Sequence, residues 1–287
     1  MLHAPNHLMK AGYAPITLGE QVKRLDVGLF TLTEASYARS RTLGRHAHHC
    51  ATISFVLEGT CIETVENAAY ECTPFSPIIK PAGAPHANQY GSSGAKCLLI
   101  EVKPAALEFC RGASELLADV VLVKNGALAG IALRLYKEFQ WIDSASELSI
   151  QGLVLEMIGL AARERMDKPS ACAPHWLREA REFIEEQFLG PVRLFNVAAT
   201  VGVNPAYLAR MFRKHYHCTI GDYMRRLRLD YASEKIIHSD DSIADIAGEA
   251  GFYDQSHFTH AFKSHTGLTP AEFRISSRKS KSAPKTP

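Results

Sequence analysis

The second half of this 287-residue chain repeats itself, and that repeat limits what it can fold into more than any other feature. VAATVGV, from Val197 to Val203, aligns over IAGEAGF, from Ile246 to Phe252, so that Ala198 meets Ala247 and Gly202 meets Gly251 at an offset of 49. LARMFRKHYHCTIGDY from Leu208 then aligns over FTHAFKSHTGLTPAEF from Phe258. It pairs Phe212 with Phe262, His215 with His265, Thr219 with Thr269 and Tyr223 with Phe273, now at an offset of 50. One extra residue in the turn of the second copy accounts for the change.

Each copy has the physics of a helix-turn-helix. Small residues on the first helix (Ala198, Ala199; Ala247, Gly248) let the second approach closely, and a glycine follows where the tight turn needs positive φ. At about 100° per residue, Phe258, Ala261, Phe262 and His265 fall on one side of the second helix, opposite Ser256, Thr259, His260 and Lys263. The outward residues of the first copy are Ala206, Ala209, Arg210 and Arg213. Small, polar and basic side chains on an exposed helix face suit entry into a DNA groove. The histidines of GFYDQSHFTHAFKSHTGLTP also invite a metal site, but His265 points inward on the wheel while His260 points outward.

Capping signals divide the helices. SIAD (Ser242–Asp245), TPAE (Thr269–Glu272) and TIGD (Thr219–Asp222) have capping-box form, with Pro270 at the first helical position of the second. Between the copies, DYMRRLRLDYASEKIIHS reads as one helix of about 17 residues, hence about 25 Å long. A rigid spacer of that order holds two reading helices roughly one DNA turn, about 34 Å, apart.

From about Trp176 to Arg274 the chain resembles the DNA-binding domain of the AraC/XylS family of bacterial transcription regulators. The resemblance rests on NVAATVGVNPAYLARMFRKHY, the bridge RRLRLDYASEKI, and SIADIAGEAGFYDQSHFTHAFKSHTGLTPAEFR. It implies two helix-turn-helix units that bind promoter DNA. Base-edge readers would be Ala206, Ala209 and Arg210 in the first unit, and Gln255, Ser256, Thr259 and His260 in the second. Arg213, Lys214 and Lys263 would contact phosphates, which position without specifying. The chain departs from the family pattern at His217, where glycine is preferred, so that turn is expected to be strained or rebuilt. Ala206 and Ala209 offer only methyl contacts, which leaves the first helix leaning on Arg210, a residue suited to bidentate pairing with guanine. His260 reads less decisively than the arginine often found there.

The first half has a different period. Short β-type runs broken by turn residues extend from about Val27 to Val102, as in a small sandwich or barrel. Helical spacing follows from Pro104 to Met166, with Leu148, Leu155 and Ile158 near one stripe that packs on the barrel or forms a dimer seam. LGRHAHHCATISFVLEG with KPAGAPH resembles the cupin-type β-barrel that serves as effector domain in many AraC/XylS members. Metal-binding cupins join a His-x-His and a Glu on one strand to a His after Pro-x-Gly-x-x-His. This chain has His46, His48 and His86, but Thr52 or Ile53 stands where the glutamate belongs. Strand alternation would add Cys50 to the face of His46 and His48. Two readings follow: a zinc or iron site from these four residues, or a barrel without metal or other cofactor whose histidines line a ligand pocket. The second is the expectation. An enzyme would need an open metal position and a general acid or base, and the missing glutamate argues against one.

Composition excludes several classes. Apolar runs such as LVLEMIGLAA stop well short of the roughly 20 residues a bilayer span requires, and the N-terminus lacks the basic start and apolar run of a signal peptide, so a cytoplasmic protein is expected. The seven cysteines, at 50, 61, 72, 97, 110, 172 and 218, are scattered and odd in number, which points to reduced thiols. Net charge is +2 overall; residues 1–174 hold 16 Lys and Arg against 17 Asp and Glu, and residues 175–287 hold 16 against 13.

The expected architecture is thus a two-domain α+β protein. It comprises an arm (1–20), a cupin-like barrel (21–103), a helical extension (104–166) suited to dimerisation, a linker (167–174), the all-α DNA-binding domain (175–276) and a disordered basic tail (277–287). The expected function is a transcription regulator, leaning to activation, with promoter DNA, a small-molecule effector, a second copy of the chain and RNA polymerase as partners.

Overall fold

The computed structural model describes residues 15–65, 68–109, 121–122, 126–166, 173–216 and 218–279. The chain divides into two compact units, one spanning Met1–Ala161, with which Ile275–Pro287 are grouped, and one spanning Ala162–Arg274. Among the described residues no helix is long and apolar enough to cross a membrane.

The first unit is an antiparallel sheet curled into a cupin-like barrel. Its strands are β1 (Glu20–Val27), β2 (Phe30–Tyr37), β3 (Thr42–His46), β4 (Ala51–Val65), β5 (Ala68–Cys72), β6 (Ile78–Lys80), β7 (His86–Val102) and β8 (Val121–Leu122). They pair in the order β1-β2-β7-β4-β6-β8, with β3 also on β7 and β5 on β4. At 15 and 17 residues, β4 and β7 are long for a small barrel, and both turn a corner at glycine. Gly59 (φ +80°) and Gly94 (φ +77°) face each other there, where the register shifts. A Cβ on Gly59 would stand 2.0 Å from the Gly94 carbonyl oxygen, so only glycine allows the two backbones to cross this closely. The apolar core draws on both sides of the bend and includes Tyr37, Val56, Ile78, Tyr90 and Leu99, with the Tyr37 and Tyr90 rings stacked at 4.1 Å.

After α1 (Pro104–Phe109), α2 (Gly126–Gln140) and α3 (Ser146–Met166) pack on the β1–β2 edge. The Lys23 ammonium donates to the Phe139 carbonyl, and Gln151 Oε1 accepts from the Leu29 amide at 3.3 Å. The inward stripe of α3 is Ile150, Val154, Met157, Ile158 and Ala161. Of the three residues that sequence spacing put there, Ile158 is buried, Leu155 is half-buried and Leu148 is 79% exposed. Apolar residues surround this helix, so periodicity alone selects no single face. The sheet also continues past residue 103: β8 pairs with β6 through Ile78–Leu122 and Ile79–Val121, a two-residue strand too short to show a period.

The described part of the second unit is helical: α4 (His175–Gln187), α5 (Leu194–Thr200), α6 (Pro205–Tyr216), α7 (Ile220–His238), α8 (Ile243–Glu249), α9 (Gln255–Thr266) and the start of α10 (Pro270–Lys279), through Arg274. One core gathers Leu177, Ile184, Val197, Leu208, Phe212, Tyr216 and Tyr223. A second stacks Phe258 on Phe262 at 5.4 Å and Phe262 on Phe273 at 5.2 Å. Between them α7 runs for 19 residues, about 28 Å at 1.5 Å per residue. The Thr219 and Ser242 side chains cap their helices by accepting from Asp222 N and Asp245 N, and Thr269 and Glu272 form a reciprocal box. The expected disordered tail begins too early: α10, anchored by Phe273, carries Ser277 buried within it and runs to Lys279. His217 and the linker residues 167–172 lie outside the described residues, as do 1–14 of the arm.

Candidate nucleic-acid interface and barrel pocket

The two turns of the helical unit are built alike up to one residue. In each, a glycine adopts positive φ (Gly202 at +69°, Gly251 at +74°), and the next residue donates back into the first helix: Val203 N to Ala198 O and Phe252 N to Ala247 O, both at 3.0 Å. The caps of the second helices are Asn204, whose Oδ1 accepts from Ala206 N at 2.9 Å, and Asp254, whose Oδ1 accepts from His257 N at 2.7 Å. Val203 therefore matches Phe252 while Asn204 matches Asp254. The inserted residue is Tyr253, 98% exposed at the front of α9.

On α6, Ala206, Arg210, Arg213 and Lys214 are exposed and Ala209 is half-buried. The Arg210 guanidinium lies 5.4 Å over the Tyr207 ring, which packs on Trp176 at 5.5 Å. This cation–π contact restrains the arginine along the helix surface, and the sequence reading did not anticipate it. On α9, Gln255, Ser256, Thr259 and His260 line one open depression, with Lys263 exposed one turn further on. Thr259 Oγ1 donates to Gln255 O at 2.8 Å, so outward it presents a methyl group and acceptor lone pairs. The histidines of this segment do not converge: His257 and His260 are exposed, whereas His265 Nε2 meets Asp230 Oδ1 of α7 at 2.8 Å.

Arg228 ties these parts together from α7. Its Nε donates to Phe188 O at 2.8 Å, Nη2 to Gly190 O at 3.0 Å and Nη1 to Gly251 O at 3.0 Å. One guanidinium thus holds the end of α4 and the second turn to the connecting helix.

In the barrel, β3 places His46 directly opposite His86 on β7, and the Gly83 amide donates to His48 O at 2.9 Å, drawing the third histidine in. The three rings lie 4.3 to 5.1 Å apart, centroid to centroid. Burial, reinforced by the Lys80 ammonium, pulls the His86 imidazole down to about 3, so it is neutral near pH 7. Cys50 does not join them: β3 ends at His46 and the chain bends at residues 49–50, which breaks the alternation that would have aimed it inward. A carboxylate that the sequence reading missed stands nearby instead. Glu63 on β4, well past Thr52 and Ile53 where the cupin pattern has its glutamate, accepts from Lys80 Nζ at 2.5 Å and sits 3.9 Å from His86 Nε2. Leu18, Leu43, Tyr37, Tyr90 and Leu99 supply apolar wall to the same pocket.

A barrel with an internal pocket joined in one chain to a pair of helix-turn-helix units defines a DNA-binding regulator with a ligand-binding domain. Residues 27–158 match the AraC-like ligand binding domain and residues 197–276 a helix-turn-helix domain. The probable transcription factor PqrA of Proteus vulgaris is 39% identical over 83 residues, 29% of this chain and 68% of that protein. Regulatory protein SoxS of Escherichia coli K12 is 35% identical over 92 residues, 32% of this chain and 86% of that protein. A solved AraC-type transcriptional regulator from Chromobacterium violaceum is similar at 28% identity and a TM-score of 0.34, covering 36% of this chain and 91% of that one. The chain belongs to the AraC/XylS family of transcription regulators.

Proposed function

We propose that the protein is a ligand-responsive activator that reads two successive major grooves with α6 and α9. The observation that carries this is the duplicated turn-and-cap geometry on either side of α7, which leaves two unlike reading faces exposed on one rigid support. Arg210 pairs with a guanine, with Ala206 and Ala209 against base methyl groups; Gln255, Ser256, Thr259 and His260 read the second groove. Arg213, Lys214 and Lys263 hold phosphates, and Tyr253 adds a phenol beside them. Because the two faces differ, each half-site is asymmetric.

The barrel pocket takes a small effector, and the helices after the barrel pair two copies of the chain, with the exposed Leu148 on the available face of α3. The barrel acts as a sensor and not as an enzyme, and RNA polymerase is the partner through which activation is exerted. Mapping bound promoters genome-wide with and without the protein tests this reading: discrete asymmetric sites upstream of induced genes support it, and uniform, sequence-independent occupancy contradicts it.

A further inference from the structure

Among the described residues Arg210 enters no ion pair and no side-chain hydrogen bond; its guanidinium lies 5.4 Å over the Tyr207 ring, three positions back along α6. Other arginines of the helical unit are engaged through their N–H groups: Arg225 faces Asp222 at 3.5 Å, and Arg228 donates to three carbonyls. Contact with an aromatic ring uses the flat face of a guanidinium and leaves its five N–H donors, set in a rigid fork, open to another partner.

The direction of that contact matters. Helical side chains lean toward the N-terminus, so Arg210 covers the turn before its own Cα. Ala206 and Ala209 carry only methyl groups there and leave the surface open. The N-terminal residues of a recognition helix are those that meet base edges, so the Tyr207 ring draws a long side chain from mid-helix toward the end of α6 that enters a groove first. Tyr207 is 39% exposed and supported from behind: its ring packs on Trp176 of α4 at 5.5 Å, and Trp176 rests on the core around Leu177, Leu208 and Phe212. A free arginine loses rotamer freedom when a partner immobilises it, and a side chain already restrained loses less. The second unit lacks this device, because His257 and His260 stand at the matching positions of α9 and His257 packs on Phe252 instead.

We propose that Tyr207 is a positioning residue for DNA recognition: backed by Trp176, its ring holds the Arg210 guanidinium at the N-terminal end of α6 with its donor edge open to guanine. This rests on reading Arg210 as a base reader, and it adds two residues at the flank of that face on which the discrimination depends.

The test uses the full chain and fluorescence anisotropy on a duplex selected by the wild type from a random pool, and on copies in which each guanine of the site is replaced in turn by adenine. Tyr207→Leu should weaken binding to the selected duplex by roughly 2- to 5-fold, the value of an exposed cation–π contact. It should lower discrimination at the Arg210-dependent guanine by the same factor and leave the salt slope unchanged, since no phosphate contact is lost. Tyr207→Phe, which keeps the ring, should behave as wild type, and Trp176→Leu should shift discrimination in the same direction as Tyr207→Leu. In an Arg210→Ala background Tyr207→Leu should have no further effect, the coupling expected of residues that act through one another. Thermal unfolding checks that each variant is folded, and Tyr207→Met replaces Tyr207→Leu if that variant is not. Wild-type discrimination in Tyr207→Leu, an equal loss on every duplex, or a loss that persists undiminished without Arg210 overturns the proposal. Arg210→Ala that discriminates at every guanine as the wild type does refutes instead the base-reading role on which the proposal rests.

Discussion

Arg228 Nη1 donates to the carbonyl oxygen of Gly251 at 3.0 Å, and that bond joins the connecting helix to the turn of the second helix-turn-helix unit. Gly251 sits at φ +74°, and a Cβ there would stand 2.9 Å from Arg228 Cζ. Gly202, its counterpart, has φ +69° and nothing within 4 Å of the Cβ position.

The two glycines should therefore respond differently to the same change. Gly202→Ala incurs only the left-handed backbone cost, about 1–2 kcal/mol. Gly251→Ala incurs that and also displaces Arg228, sacrificing part of the roughly 1.5–3 kcal/mol typical of a hydrogen bond to a charged group. Urea denaturation of both variants checks the order, and Gly202→Asn should be milder than Gly202→Ala because asparagine tolerates this conformation.

Lys263 is exposed on α9 beyond the depression lined by Gln255, Ser256, Thr259 and His260. Lys263→Ala should weaken binding to all DNA sequences alike and reduce the slope of log affinity against log salt by about 0.9, the loss of one phosphate contact. Fluorescence anisotropy across a salt series on specific and scrambled duplexes measures both effects.

How much of this follows from the residues alone depends on how far apart in sequence the partners are. The repeat exposes both helix-turn-helix units because their turns and caps are local: glycine, cap and apolar spacing all fall within about 20 residues. The offset change from 49 to 50 predicts an inserted residue without naming it, and only the matched amide bonds of Val203 and Phe252 single out Tyr253. Arg228 carries no local signal, since its acceptors are 23 to 40 positions away. The same limit hides Glu63, which reaches the histidines only because β4 bends and lies beside β7. The inward face of α3 is ambiguous for another reason: Leu148 and Ile150 are equally apolar, and only packing separates the 79% exposed residue from the fully buried one.

Gly59→Ala should be among the most damaging changes in the barrel. A Cβ 2.0 Å from the Gly94 carbonyl meets backbone, which cannot rotate away, at a φ of +80°. The expected cost exceeds about 4 kcal/mol, the range of exceptional substitutions. Calorimetry should show the barrel transition lost or strongly lowered, with the DNA-binding unit still unfolding cooperatively.

The central claim, that α6 and α9 read separate stretches of one site, is tested most directly by selecting bound sequences from a random DNA pool with the wild type, Arg210→Ala and Gln255→Ala. The wild type should recover two conserved blocks about one helical turn, roughly 34 Å, apart. Arg210→Ala should lose about 1–3 kcal/mol of specific affinity and blur one position in one block, and Gln255→Ala should blur only the other. Recovery of a single block, or an equal loss of affinity for every sequence in both variants, would contradict the account.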